Sequence, residues 1–159
     1  MKMKHFKNLF FSALVIFMVA CDNDDDTVTT GDFDNTDVTA LRDSAIDGTW
    51  RITQFIDDGR DETSDFDGFT FTFNADGSVV AENGTLSFTG SWFIELDDSS
   101  LDDDDDSDEL EFNVSFSLSN DFDELSEDWY VIEYSSNSIR LLDDDDDGED
   151  DFLTLTRVQ

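Results

Sequence analysis

From residue 69 onward, apolar and polar positions alternate with a period of two, the pattern of strands that bury one face. Phe69, Phe71 and Phe73 alternate with Thr70 and Thr72, and Asn74-Ala75-Asp76-Gly77 then turns the chain into Ser78-Val79-Val80-Ala81. Asn83-Gly84 predicts a two-residue hairpin turn in which both central positions need positive φ. Leu86, Phe88, Gly90, Trp92, Ile94 and Leu96 hold one face of the next strand, and Gly90 marks a kink or a close backbone approach. Leu110, Phe112, Val114, Phe116 and Leu118 do the same against Glu111, Asn113, Ser115 and Ser117. Three shorter strands follow, Trp129–Tyr134, Ser138–Leu142 and Phe152–Val158, and one precedes, Arg51–Phe55.

These eight strands succeed one another with no long helix between them, and the chain has no proline to confine any of them to a sheet edge. Antiparallel strands with one apolar face each can remove both edges by closing into an up-and-down barrel. The expected fold class is all-β. Pairing sets the register of one hairpin. With Ser136-Asn137 as a two-residue turn, Glu133 faces Arg140, Tyr134 faces Ile139 and Ile132 faces Leu141, so an ion pair takes one face and apolar pairs the other. That register turns Tyr130, Ile132 and Tyr134 inward and leaves Trp129, Val131 and Leu142 outside.

Gly48-Thr49-Trp50 at the start of the first strand resembles the G-x-W signature of lipocalins, and Arg157 in the last strand stands where that family packs an Arg over the Trp ring. The resemblance covers residues 46–159. It lacks the family's T-D-Y element, and so points to a lipocalin-like barrel rather than to a close member. It implies that Gly48, Trp50 and Arg157 close one end and that the other end is open. By the alternation above, a ligand inside would meet Phe71, Phe88, Trp92, Phe112, Phe116 and Tyr130, with Gln54 inward and polar to orient it. These side chains are bulky, and an eight-stranded barrel is only just wide enough for one small molecule.

Ahead of the barrel, Lys2, Lys4 and Lys7 precede an apolar run from Leu9 to Ala20. That run is about a dozen residues, short of the roughly 20 a spanning helix needs, so residues 1–20 read as a secretory signal peptide. Met18-Val19-Ala20-Cys21 resembles a bacterial lipobox, which implies lipidation of Cys21 and a membrane anchor made of acyl chains. Residues 21–45, rich in Asp, Thr, Asn and Gly, are expected to form an acidic flexible tether, and residues 46–159 the barrel domain. An acidic run after such a Cys resembles the surface-export signal of some Gram-negative lipoproteins, whereas Asp directly after the Cys means inner-membrane retention in others. The expected place is the outer membrane at the cell surface, with a periplasm-facing position as the alternative.

Charge narrows the partners. The chain has 42 Asp and Glu against 8 Lys and Arg, a formal charge of −34, and none of its acids lies in the signal peptide. Such a polyanion is repelled by nucleic acid and concentrates cations, so no nucleic-acid partner is expected. The 16 Phe, 3 Trp and 2 Tyr exclude a chain that never buries a core. Beyond the signal peptide there is no His, no Lys and no Cys except Cys21. The usual general base, Schiff-base amine, nucleophilic thiol and zinc or haem ligands are therefore missing, and no enzymatic activity is expected.

Asp143 to Asp147 followed by Gly148 matches the opening of an EF-hand loop, which names Asp143, Asp145 and Asp147 as ligands for weak Ca²⁺ binding. Thr154 stands at the twelfth place, where that loop needs a bidentate Glu. No other cofactor is expected. In a meander, the acidic connections 57–67, 121–128 and 143–151 fall at the same end as Asn83-Gly84 and make an acidic rim. Two functions then compete for what is expected to be a monomer. One is non-enzymatic binding of a small hydrophobic or weakly cationic ligand in the barrel. The other is a packed barrel whose acidic rim meets a surface protein or polymer, directly or through calcium.

Overall fold

A computed structural model of the chain describes residues 27–97, 109–144 and 149–159. Along them run β1 (Thr29–Thr30), α1 (Asn35–Ile46), β2 (Thr49–Asp57), β3 (Arg60–Asp61), a 3₁₀ turn (Thr63–Phe66), β4 (Thr70–Phe73), β5 (Ser78–Glu82), β6 (Ser87–Asp97), β7 (Glu109–Ser115), β8 (Asp128–Tyr134), β9 (Ser138–Asp143) and β10 (Asp151–Arg157). β2 and β4 through β10 each pair antiparallel with the next, and β10 returns to β2 from Phe152↔Ile56 to Arg157↔Trp50. The described residues form an all-β, eight-stranded, up-and-down, lipocalin-like barrel with one short α-helix among them.

Alternation decides what goes inside. Phe71 and Phe73 of β4, Val79 and Ala81 of β5, Trp92 of β6, and Leu110, Phe112 and Val114 of β7 are all buried. Each Phe, Val and Leu among them contributes about 1.5–3 kcal/mol of transfer free energy. Gly90 lets β7 come close, because a Cβ there would collide with the Ser115 carbonyl oxygen and stand 2.9 Å from Cδ1 of Phe116. The Asn74–Gly77 turn closes through Gly77 N–H donating to the Asn74 carbonyl at 3.0 Å, with Gly77 at φ 86°.

Two bulges move side chains away from their expected faces. β2 buries Trp50 and Ile52 but then leaves both Thr53 and Gln54 exposed before Phe55 is buried. The register against β10 slips between Thr154 and Leu155, pairing Thr154 with Gln54 and Leu155 with Ile52. An extra residue in one strand reverses the alternation beyond it. Gln54 therefore lies outside, its Oε1 accepting from Thr154 Oγ1 at 3.3 Å, and cannot orient an interior ligand.

The second bulge lies in β8. Glu133 faces Arg140 and Tyr134 faces Ile139 as the two-residue turn requires, and the ion pair closes at 3.1 Å. The register then slips between Val131 and Glu133, so Leu141 faces Val131 and not Ile132. Trp129 and Val131 are consequently buried, whereas Tyr130 and Ile132 are half-exposed. Trp129, expected outside, is fully enclosed and donates from Nε1 to the Leu125 carbonyl at 3.2 Å.

The Asn83-Gly84 turn is also wider than its sequence suggests. Glu82 pairs with Ser87, and Asn83–Leu86 form a four-residue connection in which Asn83 Oδ1 accepts from the Thr85 and Leu86 N–H groups at 3.1 and 2.9 Å. Gly84, at φ 81°, takes the left-handed position alone, and Leu86 is left 51% exposed.

The expected tether is folded from Thr29 onward. β1 adds to β8 through Thr29↔Tyr134 and Thr30↔Glu133. The polar run that follows is a helix start: Asp34 accepts from the N–H groups of Thr36 and Asp37, and Asp37 accepts from the Asp34 N–H at 2.8 Å. This reciprocal cap satisfies donors that a helix end leaves unpaired. Leu41 and Ala45 of α1 are buried, with Val38 and Ile46 packed beside them. α1 covers one end of the barrel, where Arg42 donates to the Ala75 carbonyl at 2.8 Å and its guanidinium lies 5.3 Å from the Trp92 ring centroid.

Candidate functional site

Gly48, Trp50 and Arg157 come together at the α1 end. Arg157 lies 5.3 Å over the Trp50 ring and donates to the Ser44 carbonyl at 3.0 Å and to the Asp47 carboxylate at 3.3 Å. Trp50 Nε1 donates to the Ala45 carbonyl at 2.9 Å. A Cβ on Gly48 would stand 3.1 Å from Arg157 and from Trp50, so a larger residue would push the two apart. The guanidinium thus caps α1 and seals the barrel in one gesture.

The interior is packed with rings. Phe73, Trp92 and Phe112 meet at centroid distances of 5.0 to 5.6 Å. At the end opposite α1, Phe122 lies among Phe88 (4.7 Å), Phe69 (5.0 Å), Phe116 (5.2 Å), Phe66 (5.3 Å) and Phe71 (6.1 Å). Phe66 also meets Phe55 at 5.4 Å. Phe71, Phe88, Trp92, Phe112 and Phe116, named from sequence as ligand contacts, therefore contact other rings. Tyr130 does not join them, since the β8 bulge puts it on the outer wall.

Phe66, Phe122 and Leu125 belong to the acidic connections and plug the end that the lipocalin resemblance leaves open. Period-two patterning does not point to them. Their signal is a lone apolar residue inside an acidic run, as in Asp65-Phe66-Asp67 and Asp121-Phe122-Asp123.

Above the plug stands the acidic rim. β3 folds back on β2, and Asp61 accepts from Thr63 Oγ1 at 2.6 Å while that hydroxyl accepts from the Phe55 N–H at 2.9 Å, which fixes Glu62 between them. In the connection from β7 to β8, Ser126 Oγ accepts from the Phe116 N–H at 2.9 Å and the Ser126 N–H donates to the Asp123 carbonyl at 3.0 Å, which holds Glu124 over the barrel mouth. Carboxylate oxygens of Asp57, Glu62 and Glu124 lie within 4.8 Å of one another. Asp151 joins from the third connection, accepting from the Asp58 N–H at 2.9 Å.

Crowded carboxylates disfavour their own ionisation. Burial, a hydrogen bond with Glu62 and the charges of Glu62, Asp57 and Asp121 push the Glu124 carboxyl up to about 7. Asp57 is raised by burial and by Glu62 and Asp58, against the pull of Asp151 and Arg60. Burial and neighbouring acids raise Glu127 and Asp151 as well. Near neutral pH this rim is poised to take up a proton or to attract a cation.

Asp143 ends β9 opposite Asp151, while Asp145, Asp147 and Cys21 lie outside the described residues. Among the described residues no helix is long and apolar enough to cross a membrane. Comparison of the chain with protein-family models, with curated proteins and with solved structures finds no match.

Proposed function

We propose that this chain is an exported lipoprotein, anchored in the outer membrane through Cys21, whose packed barrel presents the acidic rim to a Lys/Arg-rich partner at the cell surface. The observation that carries this reading is the aromatic plug. With Phe66 and Phe122 seated beneath the carboxylates of Glu62 and Glu124, the rim meets solvent while the interior is occupied by the protein's own rings. A carrier of hydrophobic ligands needs free volume where these rings stand. The rim's field favours fast association with a polycation and weakens with added salt.

Binding of poly-lysine to the full chain, measured at low and at physiological ionic strength, tests the reading. Expected is a salt-dependent affinity that falls when Glu62→Gln and Glu124→Gln are combined. Stoichiometric uptake of a hydrophobic fluorophore by the folded barrel, with resonance shifts at Phe71 and Phe112, would overturn it in favour of a carrier.

The spacing of Asp57, Glu62 and Glu124 favours a second version, in which calcium bridges rim and partner, since Ca²⁺ takes six to eight oxygens and tolerates irregular geometry. A melting temperature indifferent to millimolar calcium and to EDTA removes that version and leaves the direct one.

A further inference from the structure

The wall of the barrel has a gap away from the rim. On one side of β8, Tyr130 still pairs with Glu111 of β7, but from Glu133 onward the partner is β1. Val131 and Ile132, at the bulge, fall between the two partners. A hollow of about 290 Å³ opens there, floored by Phe33, Leu110, Val131 and Ile132 and walled by the half-exposed Tyr130. Asp32 and Glu109 line it as well, and among the described residues no Lys or Arg does.

We propose that this hollow binds a small organic cation, an aryl- or alkylammonium whose hydrocarbon part sits on the apolar floor and whose charge lies between Asp32, Glu109 and the Tyr130 ring. Leu110 is 1% exposed, Val131 6% and Phe33 9%, so the floor is continuous with the barrel core and offers a hydrocarbon a dry surface. An ammonium over an aromatic face is attracted by the ring quadrupole, and the carboxylates add their charge. Two more acids stand one strand away from lining residues, Glu111 paired with Tyr130 and Asp97 paired with Glu109.

The phenol of Tyr130 registers that field, since burial first and then Glu109, Glu111, Asp97 and Asp143 hold its ionisation above the ordinary value. The same field rejects an organic anion and gives a neutral analogue nothing beyond apolar contact. A dry cavity of about 150 Å³ holds benzene, so this hollow suits a ligand of roughly ten non-hydrogen atoms.

The site shares no lining residue with the Asp57, Glu62 and Glu124 cluster of the rim and stands or falls separately from it. The test is a titration of the full chain with phenethylammonium, followed by amide resonances, beside 2-phenylethanol and 3-phenylpropionate. Expected is saturable binding of the cation alone, with shifts confined to residues 31–33, 109–111 and 130–132. Asp32→Asn with Glu109→Gln should weaken it at least tenfold, while Glu62→Gln with Glu124→Gln leaves it unchanged. Equal binding of 2-phenylethanol would overturn the proposal. So would cation shifts spread along the whole acidic surface and indifferent to Asp32→Asn with Glu109→Gln, the behaviour of a diffuse counter-ion atmosphere.

Discussion

Replacing Phe122 by Ala tests whether the acidic end of the barrel is truly stoppered. Phe122 is 3% exposed, and its ring lies within 6.1 Å of five others. A buried Phe→Ala change costs about 3–5 kcal/mol through lost transfer energy plus the cavity left behind. Four of the five partners, Phe69, Phe71, Phe88 and Phe116, lie on or next to barrel strands and cannot collapse into the space, and each aromatic pair adds about 0.5–1.5 kcal/mol beyond area. The cost should therefore fall near the upper end, about 4–5 kcal/mol, a large share of the roughly 5–15 kcal/mol that holds a domain folded. In urea, followed by Trp fluorescence, the midpoint should drop by about 2 M at an unchanged slope of about 2 kcal/mol/M. Phe93→Ala is the control, since Phe93 is 49% exposed on the outer face and its loss should register within about 0.5 kcal/mol. If Phe122→Ala costs less than about 1 kcal/mol, the connection does not plug the barrel, and the interior is open to a ligand after all.

Other consequences can be measured on the same protein. Because the Glu124 carboxyl is raised from 4.5 to about 7 in the folded state, that state holds its proton more tightly than the unfolded chain, and the associated stability is complete below about pH 4.5 and lost as pH rises through about 7. Calorimetry at fixed ionic strength should show the melting temperature falling across that window and Glu124→Gln flattening the fall; a melting temperature that rises there would refute the assignment. Below about pH 4 the trend reverses, because hydrogen bonds to Thr36, Thr63 and Ser78 hold Asp34, Asp61 and Asp76 low and their protonation loosens the fold. Gly90→Val should destabilise by about 2 kcal/mol or more, since its Cβ meets the Ser115 carbonyl and the Phe116 ring, and an unchanged urea midpoint would mean that the strands can part freely there. Arg157→Met keeps the stem but loses the contact over Trp50 and the bonds to Ser44 and Asp47; about 1–2 kcal/mol should be lost, with altered Trp emission, and an unchanged midpoint would remove Arg157 from barrel closure.

The barrel was legible because alternation is a strong constraint wherever one face is buried. Phe71, Phe73, Trp92, Leu110 and Phe112 are inside for the reason that Thr72, Ser91 and Glu111 are not. What alternation cannot contain is an inserted residue. Thr53-Gln54 carry no mark of a bulge, and the flanking apolar positions, Ile52 and Phe55, fit either register until β10 is in place. In β8 both faces are apolar, so Trp129-Tyr130-Val131-Ile132 gives no preference, and the correct Glu133–Arg140 pair fixes the register on only one side of the bulge. α1 was hidden by composition: Asp34 and Asp37 have the look of a charged linker, and only the spacing of Val38, Leu41 and Ala45 shows a face to bury.

The rim was legible as charge and illegible as geometry. Strand order alone brings the acidic connections to one end, but the meeting of Asp57, Glu62 and Glu124 depends on β3, on the 3₁₀ turn and on Phe122 seating the facing connection, none of which follows a simple period. The arrangement also separates what the rim does for the fold from what it does for a partner. With Glu124 raised to about 7 and Asp57 and Asp151 raised beside it, the cluster weakens the folded state at neutral pH. Neutralising it should therefore stabilise the barrel while weakening attraction for a polycation. Glu62→Gln combined with Glu124→Gln should raise the melting temperature at pH 7.5 and lower poly-lysine affinity in the same preparation. Movement of both quantities downward would mean that the rim carboxylates hold the connections together, and that the lost binding reports unfolding of the surface rather than loss of its charge.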